Sequence, residues 1–166
     1  MTHKIDAAKE ILDERYRYVE TCADEKHDLI TIVGENGTDG VISIISDNYD
    51  CTGLAIMHVI IRNPPQKIKE QLYSFTEMIN DHIPPDRFVI FNDEQDDAIV
   101  YMSDVPVPED AKTDAVRELL KPKWEASFAL STAIKGYTDR IIKGEQPSEM
   151  FSEWQKKTQT ACEALT

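Results

Sequence analysis

An α+β fold is what this 166-residue sequence predicts: a five-stranded antiparallel sheet packed with helices, in the order α-β-β-β-α-β-β-α with one more helix at the C-terminus. Three observations carry that expectation. Short runs rich in β-branched residues are separated by turn residues. Longer stretches repeat apolar residues at steps of three and four. The two kinds of stretch are grouped along the chain rather than strictly alternating, as in antiparallel sheets covered by helices on one face.

The first helix is read from Ile5, Ala8, Ile11, Leu12, Tyr16 and Val19, which give one buried stripe, with Thr2 or Asp6 as its cap. Leu29-Ile30-Thr31-Ile32-Val33 is a short β-branched strand. Gly34 to Gly40, with three glycines in seven residues, supplies the positive φ angles of a reversing loop. Val41 to Ile45 returns, Asp47 to Asp50 turns again, and Leu54 to Ile61 is the third strand of a meander.

Arg62-Asn63-Pro64-Pro65 stops the sheet, since proline cannot donate to a ladder, and Asn63-Pro64 reads as the cap and first residue of a helix. That helix carries Ile68, Leu72, Phe75, Met78 and Ile79 and ends at Ile83-Pro84-Pro85. Arg87 to Phe91 and Ala98 to Met102 form a hairpin around the acidic turn Asn92 to Asp97. After the extended Val105-Pro106-Val107-Pro108, Glu109 and Asp110 set negative charge at the front of the next helix, where its dipole favours it.

Val116, Leu119 and Leu120 open the helix, Pro122 kinks or restarts it, and Trp124, Phe128, Leu130, Ile134, Tyr137, Ile141 and Ile142 continue its stripe to Gly144. Gly136 inside that run costs only about 1 kcal/mol relative to alanine. Residues 1–146 therefore read as a single α+β domain. Residues 147–166 read as a helix bearing Met150, Phe151 and Trp154 with a frayed polar tail from Lys156, belonging to the same domain.

This order of elements resembles that of the class I type III secretion chaperones and of the related YbjN-type domain of bacterial sensory transduction regulators. The local match runs from Ile83-Pro84-Pro85-Asp86-Arg87-Phe88-Val89-Ile90 through the acidic turn to Ala98-Ile99-Val100-Tyr101 and Val105-Pro106. There a small loop precedes an aromatic-bearing strand, an acidic turn, a second strand and a proline-marked helix entry. Asp86 stands where that family often has glycine. The resemblance covers residues 4–143 as an element order and implies a small acidic cytoplasmic binding or regulatory protein. Relatives of this kind often dimerise and hold a partner segment on exposed apolar patches.

Charge narrows the partners. With 31 acidic and 18 basic residues the chain carries a net −13, which argues against nucleic acid and anionic lipid, both of which require lysine and arginine. The acids concentrate early: 12 against 5 bases in residues 1–50, 8 against 4 in 51–100, and 11 against 9 beyond. No apolar leader opens the chain and no run approaches a membrane span, so a soluble cytoplasmic protein is expected. Cys22, near the end of the first helix, Cys51, at the start of a strand, and Cys162 match neither a disulfide framework nor a metal site, and read as reduced thiols.

Candidate chemistry is sparse. His58 lies in an apolar strand without a partner at metal-ligand spacing and reads as a packed or solvent-facing strand histidine. His82 reads as a helix C-terminal histidine, and His3 and His27 lie in loop-like or flexible surroundings. Asp93, Glu94, Asp96 and Asp97 offer oxygens to a cation but lack the EF-hand spacing, and together with Asp47, Asn48 and Asp50 read as solvated turns. Gly34-Glu35-Asn36-Gly37 joins two strands and lacks the lysine of a phosphate loop. No cofactor, metal or catalytic residue is expected.

The aromatic set does invite two readings. Trp124, Phe128, Met150, Phe151 and Trp154 are either core or a partner-binding surface, because Trp, Tyr and Met anchor interfaces. The function expected is a non-enzymatic, chaperone-like or regulatory protein that binds a protein partner or a second copy of itself. The alternatives are a small-ligand or nucleotide-binding domain, with His58 or the acidic turns as functional groups, and an acidic immunity- or antitoxin-type inhibitor.

Overall fold

The computed structural model describes residues 3–16, 18–24, 29–35, 40–47, 53–92 and 94–165. The chain opens with α1 (His3–Arg15), followed by β1 (Tyr18–Asp24), β2 (Leu29–Glu35), β3 (Ile42–Asp47) and β4 (Gly53–Arg62). A 3₁₀ turn (Gln66–Ile68) leads into α2 (Lys69–Asn80), then β5 (Arg87–Asn92), β6 (Asp97–Pro106), α3 (Thr113–Ile142) and α4 (Pro147–Ala164). The strands form one antiparallel sheet in the order β1-β2-β3-β4-β6-β5.

Among the described residues the fold is α+β as expected, but the sheet has six strands rather than five, and the meander four strands rather than three. The additional strand is β1, which the helical stripe had absorbed. Tyr16 and Val19 are three residues apart and extend the spacing of Leu12, yet Tyr18 to Asp24 includes Tyr, Val and Thr, residues that favour the pleated surface. Seven register pairs with β2, from Tyr18 opposite Glu35 to Asp24 opposite Leu29, decide the competition. Cys22 therefore lies in a strand, while Cys51 falls outside the described residues, as do His27, Asp93 and the loop residues 36–39 and 48–50.

Three further boundaries differ from expectation. Asn63 does not cap α2; it has a φ of 48°, and its side chain accepts from the Asp97 amide (3.0 Å) and donates to Asp96 (2.9 Å), closing the start of β6. Pro122 does not restart α3, which runs 30 residues through it. Pro122 and Glu118, whose carbonyl lacks the Pro122 N–H, are both exposed, so the missing bond falls on the solvent side of the helix while the buried flanking residues Leu120 and Trp124 hold it against the core. The tail is not frayed from Lys156, because α4 stays helical to Ala164.

Alternation along the strands separates two faces. Leu54, Ile56, His58 and Ile60 of β4 are 0–1% exposed and point at the helices. Beneath α1 and the first half of α3 they join Ile5, Leu12, Val116 and Trp124; beneath α2, α4 and the second half of α3 they join Phe75, Ile79, Ile134 and Trp154. α3, ~45 Å long at 1.5 Å per residue, spans both halves of the core. His58 sits where they meet.

Candidate functional site

His58 is fully buried, in a register row that crosses four strands: Ser43 of β3, His58 of β4, Tyr101 of β6 and Phe88 of β5. Ser43 Oγ lies 2.7 Å from Nδ1 and Ser127 Oγ, on α3, lies 2.8 Å from Nε2. The direction of these bonds follows from the far end. Ser127 donates its hydroxyl proton to the carbonyl of Trp124 (2.8 Å), so it accepts from His58, and the proton of the neutral ring is on Nε2. Nδ1 then accepts from Ser43, whose Oγ in turn lies 2.8 Å from the Tyr16 hydroxyl.

The walls around this chain are aromatic. Tyr101 stacks on the imidazole at 5.7 Å between centroids, and Trp124 and Phe128 meet it edge-on at 6.2 and 5.9 Å. Burial drives the His58 pKa down to about 3, since an imidazolium has no water and no carboxylate beside it to stabilise its charge. A serine beside a histidine resembles a nucleophile and its base, but here Ser43 and His58 are both 0% exposed and the far ring nitrogen meets a second serine in place of an orienting carboxylate. The arrangement is a polar key locking β3, β4 and α3 together.

A second constellation adjoins it. Asp86, in the loop before β5, accepts from the Tyr101 hydroxyl (2.5 Å), the Ser103 hydroxyl (2.7 Å) and the Lys123 ammonium (2.9 Å). Burial alone would raise its pKa, but the bonds from Tyr101, Lys123 and Ser103 outweigh it and hold the carboxyl below its ordinary value. The Tyr101 phenol is raised, first by burial and then by its bond to Asp86, and stays protonated. This clamp ties the loop to β6 and α3.

The third feature is open to solvent. A groove of about 450 Å³ lies beside α4, lined by His82 and Ile83, by Leu130 of α3 and by Trp154, Gln155, Thr158, Gln159 and Cys162 of α4. His82 is one of its lining residues. Its Nδ1–H donates to the Met78 carbonyl (3.1 Å), the helix-terminal contact expected of it, and its ring meets Phe151 and Trp154 at 5.2 and 6.0 Å. Of the aromatic and methionine set, Trp124, Phe128, Met150 and Trp154 are 2–7% exposed and packed in the core, and Phe151 is half-buried. Trp154 alone among them also lines the groove.

Among the described residues, no three His, Cys, Asp or Glu side chains gather into a metal-binding group. Of the acidic turn, Asp96 faces Arg62 at 3.9 Å and Asp97 pairs with Lys69. Also among those residues, no helix is long and apolar enough to cross a membrane. Sequence reasoning passed over Ser43 and Ser127, and noted Asp86 only as a departure from the resembled pattern, without a role. Ser127 and Ser131 interrupt the apolar stripe of α3, and Ser43 shares the inward parity of Ile45, so the legible signal was a polar residue at a core position.

The site thus defines an α+β domain with a sealed polar core and an apolar surface groove. Compared with models of protein families, with curated proteins and with solved structures, the chain matches none.

Proposed function

We propose that this is a non-enzymatic, chaperone-like or regulatory protein of the cytoplasm whose groove beside α4 holds a polypeptide segment of a partner protein. The observation that carries the reading is the groove itself. Its volume of about 450 Å³ accommodates a few apolar side chains, and its lining combines Ile83, Leu130 and Trp154 with the polar Gln155, Thr158 and Gln159. Glu77 and Asp81 are exposed at the end of α2 that leads to His82, and the chain carries a net −13, so the segment favoured is apolar with basic flanks.

The test is fluorescence-polarisation binding of a labelled library of short peptides combining leucine or phenylalanine with lysine or arginine. Supporting peptides bind the native chain and lose at least about tenfold in affinity to Leu130→Glu. Binding that is unchanged in that variant, or no binding by any basic apolar peptide, overturns the reading.

A further inference from the structure

α4 continues past the body of the domain. Trp154 is its last buried residue, and from Gln155 to Ala164 every residue is exposed, so ~15 Å of helix stands clear of the core. Successive turns of one side of this stretch line the groove: Trp154 and Gln155, then Thr158 and Gln159, then Cys162. From Trp154 to Cys162 the helix rises ~12 Å, a little over two turns. The other apolar lining comes from Leu130 of α3 and from Ile83.

We propose that the segment held in this groove is an amphipathic helix of a partner protein, laid along α4 with leucine-sized residues at i, i+4 and i+7 directed at Trp154 and Leu130. The inference rests on the groove being a peptide site and names the conformation of its occupant. Two observations separate a helix from an extended strand. The first is that the lining offers no ladder. Leu130 and the α4 residues spend their backbone groups within their own helices, and in the loop the His82 amide donates to the Ile79 carbonyl (2.9 Å) while the Ile83 carbonyl accepts from the Asp86 amide (2.9 Å). An extended segment, whose affinity comes from main-chain pairing, would leave its backbone facing side chains, whereas a helix satisfies its own.

The second observation is spacing. The α4 lining recurs at i, i+4 and i+8, and the small Thr158 and Cys162 follow the large Trp154, so a second helix can approach this stretch closely. Its own residues at i, i+4 and i+7 span ~10.5 Å, which matches the ~12 Å between Trp154 and Cys162. A second copy of the chain has no such helix to supply. The large apolar residues exposed on its helices are Leu119, Ile142 and Leu165, no two of them a helical step apart, and two chains of net −13 repel. A partner helix with lysine on its polar side complements that charge.

The test is fluorescence polarisation with two labelled peptides of identical composition. One carries leucines at i, i+4 and i+7 among lysine and alanine; the other reorders the same residues so that the leucines alternate, at i, i+2 and i+4. The first is expected to bind at least about tenfold more tightly, to gain helical circular-dichroism signal on binding, and to lose its advantage when proline replaces its central alanine. Thr158→Arg, at an exposed position in the groove lining, weakens its binding at least about tenfold, and Thr160→Arg, exposed but outside the lining, leaves it unchanged. An alternating peptide that binds as tightly, or a proline without effect, overturns the helix and leaves the groove a peptide site; no binding by either peptide overturns both readings. Binding indifferent to Thr158→Arg, or a native chain that sediments as a pair dispersed by Thr158→Arg, also overturns the proposal.

Discussion

Asn80, the last residue of α2, hydrogen-bonds both backbone groups of Phe88 on β5: its Oδ1 accepts from the Phe88 amide at 2.6 Å and its Nδ2 donates to the Phe88 carbonyl at 2.9 Å. β5 is an edge strand of the sheet, so these groups would otherwise be open to pairing with another chain. The Asn80 amide occupies the place of a neighbouring strand.

Replacing Asn80 by alanine is expected to cost about 1–2 kcal/mol, for two lost bonds to a part-buried backbone. The Phe88 amide should also exchange with deuterium faster than its neighbours in β6. Asn80→Asp keeps the acceptor and loses the donor, so it should fall between the two in urea denaturation. Equal stability of all three proteins would show that water replaces the amide at no cost.

His58 makes stability pH-dependent. Its pKa is 6.5 when unfolded and about 3 in the folded core. The unfolded chain therefore binds a proton that the folded chain refuses, and the stability from this site is full above pH 6.5 and is lost as pH falls toward 3. The slope approaches ~1.4 kcal/mol per pH unit well inside that window. Glu14, Glu145 and Glu153 have pKa values below 4.5, so their ion pairs weaken only at lower pH, and the interval from 6.5 to 4.5 reports the histidine. Urea denaturation at half-unit steps should show a decline in the native chain that His58→Gln lacks, although that variant starts lower at pH 7.

Asp86 should be costly to remove. Alanine there strands the Tyr101 hydroxyl, buried with its ring against His58, and leaves Lys123 and Ser103 without their acceptor. The expected loss is on the order of 2–4 kcal/mol, compared with about 1 kcal/mol for Lys123→Met, which removes one half-exposed donor and leaves two hydroxyls in place. Thermal denaturation of both variants checks the ranking. A Lys123 variant as damaging as Asp86→Ala would mean that the ion pair, and not the hydroxyl pair, holds the loop.

The order of helices and strands was readable wherever one periodicity dominated. Leu72 to Ile79 and Leu54 to Ile61 show a clean helical stripe and a largely apolar run ending in β-branched residues, and both formed as expected. It failed at Tyr16 to Cys22, where three-residue spacing and β-propensity coexist in one segment and only long-range pairing with β2 separates them. The buried chain from Tyr16 through Ser43 and His58 to Ser127 was illegible for a different reason. Its members are 27, 15 and 69 residues apart in sequence, and no local pattern relates residues that meet only after the sheet closes. Trp154 was readable as an aromatic anchor, but whether its ring faced core or solvent depended on the helix α4 packs against.

Two glycines should respond in opposite directions to alanine. A Cβ at Gly53, where β4 pairs with β6, would lie 2.3 Å from the Val105 carbonyl oxygen and 3.1 Å from the Pro106 Cα. Both atoms are backbone and cannot swing aside, so the strands must separate locally, at an expected cost of at least 1–3 kcal/mol, roughly that of overpacking. A Cβ at Gly136 meets nothing within 4 Å, on the exposed side of α3. There the change only removes freedom from the unfolded chain and raises helix propensity, so Gly136→Ala should stabilise by about 0.5–1 kcal/mol. Urea denaturation midpoints that move in the same direction for both variants would contradict the close approach of β4 to β6 at Val105.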